Sequence, residues 1–158
     1  MLLFLLTLLA MATTIETRED GRIHVLSHSS AAMDALLGLL HQPQTMSVVD
    51  PSVTVKVIGA QGGCSEIEYI TKGWLSDLTS EILFCPTPSG LKLSLISSDS
   101  LNSYDAWWSL TPTEQGTAIH YSIAADARFI PQWLVHRQLS NQLREFFARF
   151  LSLAEASH

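Results

Sequence analysis

Charged residues are scarce in this chain: they make up 15% of its 158 residues, whereas apolar residues make up 47%. Disordered segments combine low hydrophobicity with high charge, so this composition predicts a folded chain with a substantial core, long enough for one domain. Basic residues are the scarcer sign, since 9 Lys and Arg stand against 15 Asp and Glu, a net charge of −6. That balance argues against a nucleic-acid partner, which would be held by contacts from Lys and Arg to phosphates.

Motifs of common catalytic and metal sites are also lacking. The sequence contains no GxSxG, P-loop or GxGxxG motif, and its six histidines show no metal-site spacing to Cys or acidic residues. His24 and His28 are four residues apart, which would suit a metal on a helix. Because they lie in or just after a predicted strand, we expect them at the surface. The sequence therefore predicts neither a metal nor a cofactor.

The first twelve residues form the one long apolar run. They end in Ala10-Met11-Ala12, which resembles the small-x-small site at which signal peptides are cleaved. The run is too short to cross a bilayer stably, but it suits the apolar core of a secretory signal. We expect a signal peptide over 1–12, a short extension over 13–21, and export to the periplasm or the cell exterior. Two alternatives stay open: an uncleaved anchor, or a start at Met11, which would make the protein cytoplasmic.

Short runs of alternating apolar and polar residues predict a series of strands. A first strand over 21–26 is followed by a helix over 29–40, for which Ser29 or Ser30 is the expected N-cap. A loop punctuated by Pro43 and Pro51 leads to the remaining strands. We predict these strands over 53–58, 64–71, 78–85, 91–95, 104–110 and 117–127.

The last forty residues predict one strand, one corner and one long helix. Pro131 fits the first turn of a helix, where its missing N–H is no loss. Apolar residues then recur every three or four positions, which indicates an amphipathic helix whose apolar stripe must pack against another element. The stripe comprises Leu134, Val135, Leu139, Leu143, Phe146, Phe147, Phe150 and Leu151. The whole pattern predicts an α+β helix-grip fold, an antiparallel sheet of about six or seven strands wrapped around a long C-terminal helix.

Four short motifs add to this pattern. They are Lys72-Gly73, the run YDAWWSLTP over 104–112, Gly116-Thr117, and Ile130-Pro131 followed by Trp133. Their order resembles the START-like superfamily, which includes polyketide cyclase/dehydrase-like proteins, and is most similar to its coenzyme-Q-binding and ribosome-association-toxin branch. The resemblance covers residues 22–154, and we expect a START-like ligand-binding domain over 22–156. It implies a cavity between sheet and helix for lipids, quinones, sterols or polyketides.

Alternation along the strands and the stripe of the helix place a set of side chains toward such a cavity. Tyr121 and Trp108 would add a hydroxyl and an indole N–H to a mostly apolar wall. Arg128 and Trp133 are expected at the pocket mouth, although a local ion pair is the favoured role for Arg128. The expected ligand-binding residues are Tyr69, Leu93, Leu95, Trp108, Tyr121, Ile123, Leu134, Val135 and Gln138.

The alternation of side chains along the strands also bears on whether the cavity could hold catalytic groups. His120 is expected to face away from Tyr121, and Asp105 away from Trp108, so no acid–base pair is expected inside the cavity. The resemblance and these residues favour binding or carriage of an apolar small molecule or lipid, with transient membrane contact. The alternatives are a cyclase or dehydratase that uses the same cavity, and a cytosolic protein-interaction module if translation starts at Met11.

The two cysteines depend on one strand register. If the hairpin of the predicted strands over 64–71 and 78–85 turns between Trp74 and Leu75, Cys64 faces Cys85 and the two can form a disulfide. If the hairpin turns instead at Lys72-Gly73, Cys64 faces Glu81 and no disulfide can form. The family-like Lys-Gly turn favours the second register, and a disulfide would favour export.

Overall fold

The computed structural model describes residues 13–72 and 77–156. The expected signal peptide over 1–12 and the turn residues Gly73, Trp74 and Leu75 lie outside the described residues. The strands are β1 (Thr14–Thr17), β2 (Ile23–Ser29), β3 (Val53–Gln61), β4 (Cys64–Thr71), β5 (Leu78–Thr87), β6 (Gly90–Ser98), β7 (Leu101–Thr113) and β8 (Gly116–Ala127). The helices are α1 (Met33–Leu40), α2 (Thr45–Val49) and α3 (Gln132–Ala156).

All the strands belong to one antiparallel sheet, in the order β1-β2-β8-β7-β6-β5-β4-β3. The last strand, β8, thus pairs with β2, near the beginning of the sequence order. The predicted α+β helix-grip fold is confirmed, with eight strands in the described part of the chain instead of six or seven. The additional strand is β1, which lies within the predicted extension over 13–21 and forms the edge of the sheet.

Two local predictions are wrong. The first helix starts at Met33 with Ala32 as its N-cap residue, and neither Ser29 nor Ser30 caps it. Ser29 instead ends β2, fully buried, and its hydroxyl accepts a hydrogen bond from the backbone N–H of Ala31. The predicted loop before β3 contains the short helix α2, whose five residues are too few to show a clear helical period in the sequence.

The β4–β5 hairpin has the register that places Cys64 opposite Cys85. Ser65 pairs with Phe84 and Glu68 pairs with Glu81, so the register favoured from the Lys-Gly turn, which pairs Cys64 with Glu81, is wrong. Cys64 and Cys85 form a disulfide, with their Cα atoms 4.3 Å apart. The bond joins neighbouring strands in the half of the sheet that ends at β3.

Helix α3 lies against the inner face of the sheet and supplies much of the core. Its buried residues follow the helical period and include Val135, Leu143, Phe147 and Phe150. The helix packs chiefly on β1, β2 and β8, at one side of the sheet, and on α1 and α2. None of the helices in the described ranges is long and apolar enough to span a bilayer.

Candidate ligand-binding cavity

A cavity of about 550 Å³ lies between α3 and the inner face of the sheet. It exists because α3 packs on the β1, β2 and β8 side, which leaves much of the inner face of β4, β5 and β7 without a covering side chain from the helix. Residues from α2 and from the corner between β8 and α3 complete its wall, among them Met46 and Ile130. Most of the wall is apolar, as in small-molecule sites of this size.

The sheet side of the wall follows from the period-two geometry of its strands. On β8, Tyr121, Ile123 and Ala125 point inward and line the cavity. Neighbouring strands place inward side chains beside them, since Trp108 pairs with Tyr121 across the β7–β8 ladder. The other sheet residues that line the cavity include Ile67, Tyr69, Ser80, Ile82, Leu93 and Tyr104.

The helix side of the wall is a stripe on α3. It begins with Val135 and continues one turn at a time through Leu139 and Leu143 to Phe146. Beside it run Gln138 and Gln142, which also line the cavity but are exposed. The stripe therefore presents an apolar centre with a polar margin.

One end of the space is filled by packed aromatic rings. Trp108 stacks on Phe147 at 5.1 Å between ring centroids and meets Tyr121 edge-on at 4.9 Å. Phe146 and Phe150 stack on each other and lie close to the same indole. Phe147 and Phe150 are fully buried. This cluster closes the cavity at one end and fixes the orientation of Trp108 and Tyr121.

Every tyrosine of the chain lines the cavity, and none of the three is ionised near neutral pH. Burial, followed by the negative charge of Asp50, raises the pKa of Tyr69 to about 12. Burial also raises the pKa of Tyr121 and of Tyr104, and a negative charge on Tyr69 would raise the pKa of both further. The cavity therefore contains hydroxyl groups and no phenolate.

The cavity reaches the surface near the corner between β8 and α3. Arg128, Ile130 and Leu78 line it there and are exposed. Next to them, Phe129 has a positive φ of 63° and a side chain that is wholly exposed, at 102%. Arg128 forms no ion pair with a residue in the described ranges, so the local ion pair favoured for it is wrong.

The structure brings most of the predicted site residues together. Three predicted residues do not line the cavity. Leu95 lies where β6 has separated from β7, since their pairing ends at Ser94 and Asp105, and it is half-buried. Leu134 and Trp133 face other sides of the first turn of α3, and Trp133 is 66% exposed beside the mouth. The predicted residues in the cavity wall are Tyr69, Leu93, Trp108, Tyr121, Ile123, Val135, Gln138 and Arg128.

Several wall residues were not predicted. Tyr104 has the same strand parity as Trp108, and Ile67 has that of Tyr69, so alternation alone could have identified both. Met46 had no such signal, because it belongs to α2, which the sequence pattern did not reveal.

A cluster of polar side chains lies on the outer face of the sheet, away from the cavity. His24 Nε2 is 2.9 Å from Asp20 Oδ2, and His24 Nδ1 is 2.9 Å from His120 Nε2. The ring of Trp107 packs edge-on against both imidazoles. His24 is 4% exposed, so its expected surface position is wrong: the Asp20 turn and the neighbouring rings cover it.

His120 and Asp105 face outward, on the side of the sheet opposite Tyr121 and Trp108. Asp105 accepts a hydrogen bond from Arg22, whose guanidinium also bonds the hydroxyl of Ser122. Within the described ranges, no group of three or more His, Cys, Asp or Glu side chains is arranged to hold a metal ion. The titratable groups of this cluster are thus bonded to one another, and they lie on the face of the sheet opposite the cavity.

The fold is shared with solved structures at low sequence identity. A START superfamily protein from Mycobacterium smegmatis superposes with a TM-score of 0.76 at 10% identity, covering 87% of this chain and 99% of that one. The Zhui aromatase/cyclase from Streptomyces sp. R1128 gives 0.74 at 9% identity, covering 85% and 93%. A STAR-related lipid transfer protein from Xanthomonas axonopodis (a fragment) gives 0.64 at 12% identity, covering 90% and 98%.

No protein-family model matches the sequence. No curated protein matches it either. The chain therefore has a START-like fold, shown by structure, at 9–12% sequence identity to these proteins.

Proposed function

We propose that this protein binds and carries an apolar small molecule in the cavity between the sheet and α3. The observation that carries the proposal is the cavity itself, about 550 Å³ with a mainly apolar wall. A well-packed core leaves few voids larger than a water molecule, so a space of this size is unusual in a protein that binds no ligand there. Ligand sites commonly measure about 300–1,000 Å³, with a few placed polar groups among apolar ones. The lipid-transfer and aromatase/cyclase proteins that share the fold are consistent with an apolar ligand.

Filling the cavity tests the proposal. Ala125 lines the cavity, whereas Ala124 points to the other face of the same strand. We expect Ala125→Phe to abolish the fluorescence increase of N-phenyl-1-naphthylamine, a neutral apolar dye, and Ala124→Phe to leave it unchanged. Thermal unfolding of both variants checks that each is folded. Equal dye binding by the two variants would place the dye outside the cavity and contradict the proposal.

Native mass spectrometry of the protein isolated from its own cells identifies the ligand class. We expect a stoichiometric apolar species that is released on denaturation and recovered by organic extraction. A protein that carries no such species and binds none of a panel of lipids and quinones would rule out the carrier function.

Delivery to and from a lipid surface is part of the proposal. The mouth exposes Phe129, Ile130 and Trp133 together, next to the opening of the cavity. The stretch 127–144 contains three Arg and no Asp or Glu, in a chain with a net charge of −6. Apolar side chains flanked by positive charge suit an anionic bilayer surface. We expect Trp133→Ser to reduce co-sedimentation with phosphatidylglycerol vesicles, and Val57→Ser, an exposed residue of β3, to have no effect.

An exported location belongs to the same proposal. The disulfide between Cys64 and Cys85 supports it, because such bonds persist in oxidising compartments. The apolar run and the Ala10-Met11-Ala12 site support it independently. Sequencing the N-terminus of the protein isolated from cells should give Thr13 as the first residue. An N-terminus at Met11 would contradict export and favour the cytosolic alternative.

A further inference from the structure

Two imidazoles meet on the outer face of the sheet, on the side away from the cavity. His24 Nδ1 lies 2.9 Å from His120 Nε2, although the two residues are 96 positions apart in the sequence. The register that pairs Leu26 with His120 places the two rings diagonally across the neighbouring strands β2 and β8. The spacing of histidines along the sequence gave no sign of this pair, because its members come from the first and the last strands of the domain.

The separation of these two nitrogens suits one transition-metal ion. Histidine nitrogens bind such ions at about 2.0–2.1 Å. Two nitrogens at that distance lie roughly 2.9 Å apart when the angle at the metal is a right angle, and roughly 3.3 Å apart when it is tetrahedral. The observed 2.9 Å therefore corresponds to neighbouring positions of a square-planar or tetragonal site. Copper(II) prefers that geometry, and it binds a given set of ligands most strongly among the divalent first-row metals.

Asp20 prepares His24 to act as a metal ligand. Its Oδ2 lies 2.9 Å from His24 Nε2, and because a carboxylate only accepts, that nitrogen carries the proton and Nδ1 carries the lone pair. The other carboxylate oxygen, Oδ1, accepts a hydrogen bond from the backbone N–H of Arg22, which holds the carboxylate in place. A carboxylate bonded to the far nitrogen of a histidine is the usual device that orients a metal-binding imidazole and raises its basicity.

His120 supplies the second nitrogen and the access to it. It is half-buried, whereas His24 is 4% exposed, so an ion reaches the pair from the His120 side. In the metal-free protein, His120 Nε2 donates its proton to His24 Nδ1. His120 Nδ1 forms no hydrogen bond with a residue in the described ranges, so it takes up this proton when an ion binds Nε2, and both rings stay neutral. The positive charge of Arg18 near His120 is paired with Glu16.

We propose that His24 Nδ1 and His120 Nε2 bind one copper(II) ion on the outer face of the sheet. The two rings, tilted by 32° to each other, turn until both lone pairs point at the ion. Water completes the coordination, because the described residues offer no group of three His, Cys, Asp or Glu arranged for a metal. Two protein ligands with open positions form an exchangeable surface site, not a closed structural one. The site is independent of the cavity and of its ligand.

Titration of the metal-free protein with copper(II) chloride tests the proposal. Calorimetry gives the dissociation constant, and electron paramagnetic resonance should show hyperfine splitting from two imidazole nitrogens at the tightest site. We expect His120→Gln to weaken binding roughly tenfold or more, and Asp20→Asn, which keeps the oxygen bonded to the Arg22 N–H, to weaken it about tenfold.

Trp107 provides an optical signal from the same place. Its ring packs edge-on against both imidazoles, at 6.3 Å from His24 and 4.6 Å from His120 between centroids. Paramagnetic copper(II) quenches the fluorescence of a nearby indole. We expect Trp107→Phe to lose most of the quenching and to keep the dissociation constant within about twofold of the wild-type value.

The matched control is His28→Gln, which removes another imidazole from β2 and leaves the pair intact. It should keep the dissociation constant within about twofold of the wild-type value. An unchanged constant in His120→Gln, or a resonance spectrum with fewer than two imidazole nitrogens, would place the ion elsewhere and overturn the proposal. His24→Gln tests the other ligand, and circular dichroism checks its fold. If that variant does not fold, His120→Gln, at a half-buried position, decides alone.

Discussion

His24 lies between a carboxylate and a second imidazole, and this fixes the protons of the pair. Its Nε2–H donates to the Asp20 carboxylate, so the Nδ1 of a neutral His24 accepts the hydrogen bond from the Nε2–H of His120. The arrangement holds for two neutral rings. A proton added to His120 adds positive charge next to His24 and near Arg18, and burial already opposes that charge.

Lowering the pH should therefore destabilise the folded protein at this pair. Burial, followed by the repulsion that a protonated His24 and the positive charge of Arg18 would exert, lowers the pKa of His120 below its usual value, and Glu16 opposes this only in part. A His with a lowered pKa takes up a proton more readily when unfolded. Its contribution to stability is thus complete above about pH 6.5 and is lost as the pH falls through that value toward the lower folded pKa.

Thermal unfolding at pH 8 and pH 5 measures this effect. We expect the midpoint of the wild-type protein to fall over this range, and the midpoint of His120→Gln to fall less, because Gln cannot titrate. His136→Gln, on α3 and away from the pair, should behave as the wild type does. If His120→Gln and the wild-type protein lose the same amount, the imidazole pair does not govern the pH dependence.

At the scale of an element, the β7–β8 hairpin approaches the backbone of the β2–α1 junction. Gly116 has a φ of 136°, and a Cβ atom there would lie 2.1 Å from the carbonyl oxygen of Ser29. Such a distance is a clash with backbone that cannot rotate away. The glycine thus lets β8 begin directly beside the end of β2, with which it pairs.

Replacing this glycine should therefore be costly. We expect Gly116→Ala to lower the free energy of unfolding by about 2–4 kcal/mol, because it combines overpacking with an unfavourable φ. The matched control is Gly38→Ala on α1, where an added Cβ meets nothing within 4 Å. It should raise stability by about 0.5–1 kcal/mol, since Ala favours helix over Gly. Urea unfolding measures both, and a neutral Gly116→Ala would show that the hairpin can move away.

For the molecule as a whole, the disulfide supports the side of the sheet that α3 leaves largely uncovered. Cys64 and Cys85 join β4 and β5, and both strands contribute to the cavity wall rather than to the packing under the helix. A strand pair beside a cavity has fewer packing contacts to hold it in place. A covalent link limits the unfolded states of this region instead.

Removing the link should destabilise the whole domain. We expect Cys64→Ser/Cys85→Ser to lower the free energy of unfolding by about 3 kcal/mol, from the closure entropy of a loop with a sequence separation of 21. Reducing agent should bring the wild-type protein to the same urea midpoint and leave the double variant unchanged. A wild-type protein insensitive to reducing agent would contradict this role for the bond.

The predictions succeeded where a single element decides the outcome. Alternation fixed that Tyr121 and Ile123 share one face of β8, and the period of α3 fixed which side of the helix is buried. They failed where two elements meet. His24 was expected at the surface because its own strand exposes it, but a ring from β7 and another from β8 cover it. Leu95 was expected in the cavity because its parity fits, but β6 leaves β7 before that position.

The sequence by itself determined the α+β class, the order of the elements other than β1 and α2, and the faces of the predicted strands and of α3 that turn inward. These features depend on local periodicity and on turn-forming residues. Only the tertiary structure decided that Cys64 meets Cys85 and that α3 packs to one side of the sheet. Strand register and helix placement depend on contacts between residues far apart in the chain, which no local pattern encodes. The cavity and its three tyrosines are a consequence of that placement.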